Sequence, residues 1–193
     1  DGRELARLGV RDIELLSLCA PDDVVFVDIE TTGLVSTCPL FMIGMLCPES
    51  THELRLVQAF ARDYDEEAAV LEEARARLAG ARAVVTYNGK SFDMPFISRR
   101  MAYYGRSEEL EAMVVDLVWP ARRMWYDTLP NCRLATVQSI VLDCPREGDI
   151  PGRLIPEVYV EYVRTGDAGL VLPIIDHNEL DLLAMAGLLP FLV

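Results

Sequence analysis

Two carboxylates set two residues apart, Asp28 and Glu30, close the apolar run Val24–Ile29 and lead into Thr31, Thr32 and Gly33. Side chains alternate faces along a strand, so on a strand both acids point to the same side. Paired carboxylates at the mouth of a buried strand repel each other and lose hydration, and a cation bound between them relieves both costs. Gly33 would let a substrate backbone approach closely. A further acid, Asp93, follows Tyr87-Asn88-Gly89-Lys90-Ser91-Phe92. It falls in the first turn of a helix beginning near Phe92, where the helix dipole favours negative charge and Pro95 suits an early helical position. Lys90 is the single lysine beside seventeen arginines, and in this loop it is placed to meet a phosphate. Late in the chain, His177 and Asp181 stand at i and i+4 among Leu182, Leu183, Met185 and Leu188. They share one helix face, and a charge amid that much apolar sequence needs a partner. Taken singly, each segment also has a plainer reading: a strand-end acid, a helix-start acid, a surface pair.

The elements that must position these residues follow from the patterning. An amphipathic lead-in over residues 2–20 carries Leu5, Leu8, Val10, Ile13, Leu15 and Leu16 and is broken by Pro21-Asp22-Asp23. Val24–Ile29 reads as a central buried strand. Pro39 to Cys47 and Glu53 to Phe60 read as two more strands, joined through a turn at Pro48-Glu49-Ser50, with His52 in the hairpin. Asp65 to Ala79 is a helix with acids in its first turn and Gly80 after its end. Ala83–Tyr87 is a strand, Phe92 to Tyr104 a helix ended by Gly105, and Met113–Val118 a strand. Helical pieces follow at about 121–126, 133–142, 156–165 and 171–190. The order βββαβαβ, then helices, predicts an α/β sheet with a leading antiparallel hairpin and later crossovers.

Composition bounds the function. The 193 residues, 51% hydrophobic and 25% charged, are globular in composition. A net charge of −13 argues against a broad basic face for nucleic acid, but not against carboxylates gathered around metal ions. Five Cys at 19, 38, 47, 132 and 144 include no C-x-x-C pair, which speaks against a zinc ribbon or a thioredoxin-type site. They read as small hydrophobes in a reducing compartment. The sequence contains neither a long apolar run nor a basic-then-apolar leader, so no membrane association and a cytoplasmic location are expected. The chain opens on Asp1 rather than Met and is expected to be part of something longer. Residues 1–20 are assigned as the helical lead-in and 21–193 as a single catalytic domain.

Asp28, Glu30, Asp93 and Asp181, occurring as strand end, helix start and late helix, resemble the acidic set of the DEDD superfamily of exonucleases on the ribonuclease-H-like fold. Asp28–Gly33 looks like its first motif. Asn88–Asp93 is similar to its second, in the form found in proofreading domains of family B DNA polymerases, and His177–Asp181 looks like its third. A narrower resemblance, to the YprB-type ribonuclease-H-like domain family, is carried by Val115-Asp116-Leu117, Asp149-Ile150-Pro151-Gly152, Ile155-Pro156-Glu157, and His177-Asn178 with Asp181. It spans about residues 22–190.

The resemblance implies a three-layer fold with a mixed central sheet, antiparallel hairpin strands plus parallel strands, flanked by helices. It implies a metal-dependent nuclease acting on a strand end of DNA or RNA, a 3′→5′ exonuclease using two Mg²⁺ or Mn²⁺ ions. In that scheme Asp28 bridges both ions, Glu30 and Asp181 complete one site, Asp93 supports the other, and His177 is the general base. Thr31, Gly33, Asn88, Lys90 and Phe92 are the candidate substrate contacts. His177 departs from the pattern: it carries the residue type of the superfamily's His subclass at the i−4 spacing of its Tyr subclass. Asp116 reads as a group supporting the site or as a strand-end acid. Core packing is the default for Tyr87 and Phe92, core or interface for Trp119, Trp125 and Tyr126, and a solvated face for Arg122 and Arg123. A structure-selective endonuclease of the same fold, and a catalytically silent module that binds nucleic acid or protein, remain alternatives. A tight grip on long substrates would call for an additional domain or protein partner.

Overall fold

The structure is a computed structural model and describes residues 11–50, 53–106 and 111–192. Leu5, Leu8, Val10 and His52 lie outside the described residues.

Strand β1 (Val24–Thr31) is flanked by β2 (Leu40–Ser50) on one side and β4 (Ala83–Thr86) on the other, with β3 (Glu53–Phe60) outside β2 and β5 (Met113–Asp116) outside β4. The sheet order is β3-β2-β1-β4-β5. β1–β2 and β2–β3 pair antiparallel, and β1–β4 and β4–β5 parallel. The mixed sheet expected from the sequence is therefore the one observed. A β-bulge or similar irregularity shifts the register of β1 against β2 between Glu30 and Thr31, at the point where the strand leaves the sheet toward the candidate site.

The sequence expectation of a turn at Pro48-Glu49-Ser50 is corrected. β2 runs through Pro48 to Ser50, with Pro48 opposite Leu54. β1 pairs with β2 only as far as Leu46, so among the described residues one edge of Pro48 faces no strand, the setting in which a proline is tolerated in a sheet.

Alternation along β1 divides the core. Val25, Val27 and Ile29 face a cluster shared with Phe41, Ile43, Leu71, Phe96, Ile97 and Tyr159. This brings α2 (Glu67–Leu78), α3 (Asp93–Tyr103) and α6 (Ile155–Thr165) onto one side. Val24 and Phe26 face the other cluster with Val85, Val115, Val137, Leu182, Met185 and Leu188. That side is covered by α5 (Leu134–Val141), α7 (Leu172–Leu192) and α1, described over residues 11–16, whose Ile13 and Leu16 are buried there. α4 (Val118–Trp125) follows β5 directly. By the same alternation Asp28 and Glu30 continue the Val24–Phe26 face, toward α7.

Candidate active site

The acids meet where the parallel strands end. Asp28 and Glu30 project from the end of β1, Asp93 opens α3 after β4, and Asp181 comes down from α7. Their mutual influence is the electrostatic signature of the site. Burial first, then Asp181, Glu30 and Asp93, push the Asp28 carboxyl well above the ordinary carboxylate range. Burial, then Asp181, Asp93 and Asp149, do the same to Glu30. Asp93 is driven by burial, with Asp116 and Asp181 adding, up to about 7, although backbone donors at Asp93 and Ile29 pull the other way. Removing charge from water and crowding like charges act in one direction here.

Few protein donors offset that repulsion. Asp28 Oδ2 accepts from Asn178 Nδ2 at 2.7 Å. Asp181 receives the guanidinium of Arg146, which also reaches Asp149 Oδ2 at 3.1 Å and donates through Nε to Gln138 at 2.7 Å. His177 Nδ1 donates to Asp149 Oδ1 at 2.7 Å, and its Nε2 lies 3.7 Å from Asp181 Oδ2. Because the carboxylate takes Nδ1–H, Nε2 is the ring nitrogen left on the side of Asp181. His177 thus shares a face with Asp181, as the i−4 spacing requires.

Among the described residues, no group of three or more His, Cys, Asp or Glu side chains is drawn together as a formed metal cage. Asp181 is turned to Arg146 and Asp28 to Asn178. The donor set still fits a hard divalent ion. It consists of carboxylate oxygens, buried and mutually repelling, with one guanidinium already drawn in as a counter-cation. The Thr86 hydroxyl, fully buried and without a hydrogen-bond partner among the described residues, borders the same place. A Cβ on Gly89 would overlap Asp93 Oδ2 and the Thr86 side chain, so Gly89 is the residue that lets the loop close over Asp93.

Asp116 anchors the β4–α3 loop, accepting from the backbone N–H groups of Asn88 at 2.6 Å, Lys90 at 3.1 Å and Val118 at 3.1 Å. Asn88 sits at φ +67°, a left-handed conformation that Asn tolerates. Lys90 directs its ammonium to Asp12 at 2.8 Å and touches no site carboxylate. Phe92 packs against Phe96, with ring centroids 5.6 Å apart, and the Tyr87 hydroxyl donates to the Cys132 carbonyl at 2.8 Å. Thr31 is buried and donates to the Gly33 carbonyl at 2.8 Å, shaping the turn after Glu30.

The sequence reading did not assign Asn178, Gln58, Gly44, Arg146 or Asp149 to the site. Asp149 and Asn178 both lie in the segments that carry the YprB-type resemblance. Asn178 had its own signal: it interrupts the buried stripe Ile174, Leu182, Met185, Leu188 of α7, where a polar side chain needs a reason. Arg146 sits in an irregular polar loop and gave none.

A mixed five-stranded sheet of this order with acids at the strand mouth defines a ribonuclease-H-like protein. The family model described as RNase_H superfamily matches residues 25–193, and the chain belongs to that superfamily. It is 29% identical over 184 residues to the uncharacterized protein YprB of Bacillus subtilis (strain 168), a match covering 86% of this chain and 41% of that protein. The chain thus spans less than half the length of that relative. Among solved structures it resembles the family B DNA polymerase from the hyperthermophilic archaeon Pyrobaculum calidifontis, with TM-score 0.65 and 19% identity. That match covers 87% of this chain and 24% of the polymerase, and it shows a shared fold.

Proposed function

We propose that the chain is a divalent-metal-dependent nuclease that hydrolyses phosphodiester bonds of DNA or RNA from a 3′ end, with Asp28, Glu30, Asp93 and Asp181 as metal ligands. Nucleases of this superfamily generally use divalent metal ions. One observation carries the reading: burial and the neighbouring acids, Asp181 of α7 among them, raise the proton affinity of Asp28 and Glu30 on β1 and of Asp93 on α3, with few protein donors to offset the repulsion. Such an arrangement weakens the metal-free fold and is relieved by cations.

Asp28, Glu30, Asp93 and Asp181 would hold Mg²⁺ or Mn²⁺, which would supply acidification of a nucleophilic water and counter-charge for the leaving 3′ oxygen. The rest of the chemistry belongs to the chain. Asp149 holds the His177 ring so that Nε2 is the nitrogen able to accept a proton from the attacking water. Asp116 fixes the loop that presents Asn88 and the Lys90 backbone. The Lys90 ammonium, paired at the surface with Asp12 and about half exposed, is free to exchange that partner for a phosphate, because such surface pairs hold weakly.

The Arg146–Asp181 contact favours a second reading, a silent module in which the guanidinium permanently replaces the metals. Incubation of 5′-labelled DNA and RNA oligomers with Mg²⁺ or Mn²⁺ separates the two. A ladder with the wild type and none with Asp93→Ala is the expected outcome. Persistent full-length substrate under every condition contradicts the nuclease reading, and cutting of circular substrates turns it to an endonuclease.

A further inference from the structure

Asp28 is held by a chain of two amides whose polarity is fixed from one end. In the β1–β2 register Asp28 lies opposite Gly44, and in the β2–β3 register Gly44 lies opposite Gln58. Cross-strand partners share a face, so a carboxylate, a bare glycine and an amide form a row across three strands, beneath α7. The glycine leaves a gap in that row. Asn178, fully buried, fills it from α7, and a Cβ on Gly44 would overlap the Asn178 amide.

The Ile175 backbone carbonyl can only accept. Gln58 Nε2 donates to it at 2.8 Å, which fixes the Gln58 amide. The same Nε2 donates to Asn178 Oδ1 at 3.1 Å, which turns the Asn178 oxygen toward Gln58 and its Nδ2 toward Asp28 Oδ2 at 2.7 Å. Each step follows from the one before, and the chain ends on the Asp28 carboxylate with a donor it must accept from.

We propose that Gln58 and Asn178 are positioning residues for Asp28: together they hold its Oδ2 against the sheet and reserve its other oxygen for the metal. This rests on the nuclease reading and extends it to residues on β3 and α7. Groups that hydrogen-bond a ligand typically change metal affinity by 10–100-fold when altered.

The test is calorimetric Mn²⁺ titration of wild type, Gln58→Glu and Gln58→Met, with folding of each checked by circular dichroism. Glu at position 58 has no amide donor for the Ile175 carbonyl or Asn178 Oδ1. Asn178 must then turn its NH₂ to the new carboxylate and its oxygen to Asp28. The expected result is Mn²⁺ binding weakened about 10–100-fold. The sign is diagnostic, because an added negative charge by itself tightens cation binding. Gln58→Met removes the constraint without inverting it, so a several-fold loss is expected, with kcat for an oligonucleotide lowered and KM unchanged. Should Gln58→Glu not fold, Gln58→Met carries the test alone. Equal or tighter Mn²⁺ binding in either folded variant overturns the proposal. Failure of the wild type itself to bind Mn²⁺ overturns the nuclease reading and this proposal with it.

Discussion

Buried carboxylates occur on both faces of the sheet near the end of β1, and they are treated in opposite ways. On one face Glu67 of α2 is almost fully enclosed, yet it accepts from the Leu40 backbone N–H at 2.9 Å, Arg100 Nε at 2.6 Å and the Tyr104 hydroxyl at 3.0 Å. It locks α2, α3 and the start of β2 together. On the other face Asp28, Glu30, Asp93 and Asp181 face one another, with Asn178 and Arg146 as the side-chain donors at Asp28 and Asp181. A buried acid whose oxygens are satisfied stabilises a fold; a group of acids that repel one another supports the proposal of a bound cation.

The comparison breaks most clearly at His177. His177→Ala should lower nuclease turnover by about 10²–10⁴-fold, the usual range for a general base, while Mn²⁺ affinity measured by calorimetry persists. Unchanged turnover removes His177 from the mechanism. On the opposite face, Glu67→Ala should cost about 3–5 kcal/mol of stability in chemical denaturation, because it strands the buried Arg100. Protein that remains folded at low temperature should keep its specific activity. A selective loss of turnover there would erase the distinction between the two faces.

A pH series sharpens the same contrast. The folded protein holds the Asp93 proton to about pH 7, against a reference value of 3.8. The unfolded chain therefore binds fewer protons across that window, and stability falls as pH rises through it. In chelator, Asp93→Asn should gain on the wild type from about pH 4 to about pH 7 and gain no more above it. Denaturation midpoints at pH 5 and pH 8 check this, and a gap that narrows with pH contradicts the sign.

Arg146 gives the smallest effect. Its guanidinium competes with any metal for Asp181, so Arg146→Ala should tighten Mn²⁺ binding several-fold while lowering metal-free stability. Weaker Mn²⁺ binding would make Arg146 a support of the metal-bound site rather than a competitor.

The parts of this arrangement that sit on local periodicity were legible in the sequence. Alternation along Val24–Thr31 placed Asp28 and Glu30 on one face, and the i,i+4 spacing placed His177 beside Asp181. The succession of apolar runs and helices gave the order of elements along the chain and a mixed sheet with a leading antiparallel hairpin, but not the spatial order β3-β2-β1-β4-β5. Strand ends were less legible, because Pro48 reads as a turn unless the open edge beside it is known. Long-range pairing was invisible: Gln58 meets Asn178 across 120 residues only because two antiparallel registers align it with Gly44 and Asp28. Arg146 reaches Asp181 from an irregular loop, and Lys90 is turned to Asp12 by the packing of α1, neither of which leaves a periodic trace.

The central claim is that the carboxylates on the α7 face are held in repulsion for a cation, and thermal unfolding of Asp28→Asn beside the wild type tests it most directly. In chelator the variant should melt at a higher temperature than the wild type, and saturating Mn²⁺ should raise the wild type strongly and the variant little. A variant that melts lower in chelator, or a wild type indifferent to Mn²⁺, would contradict the account.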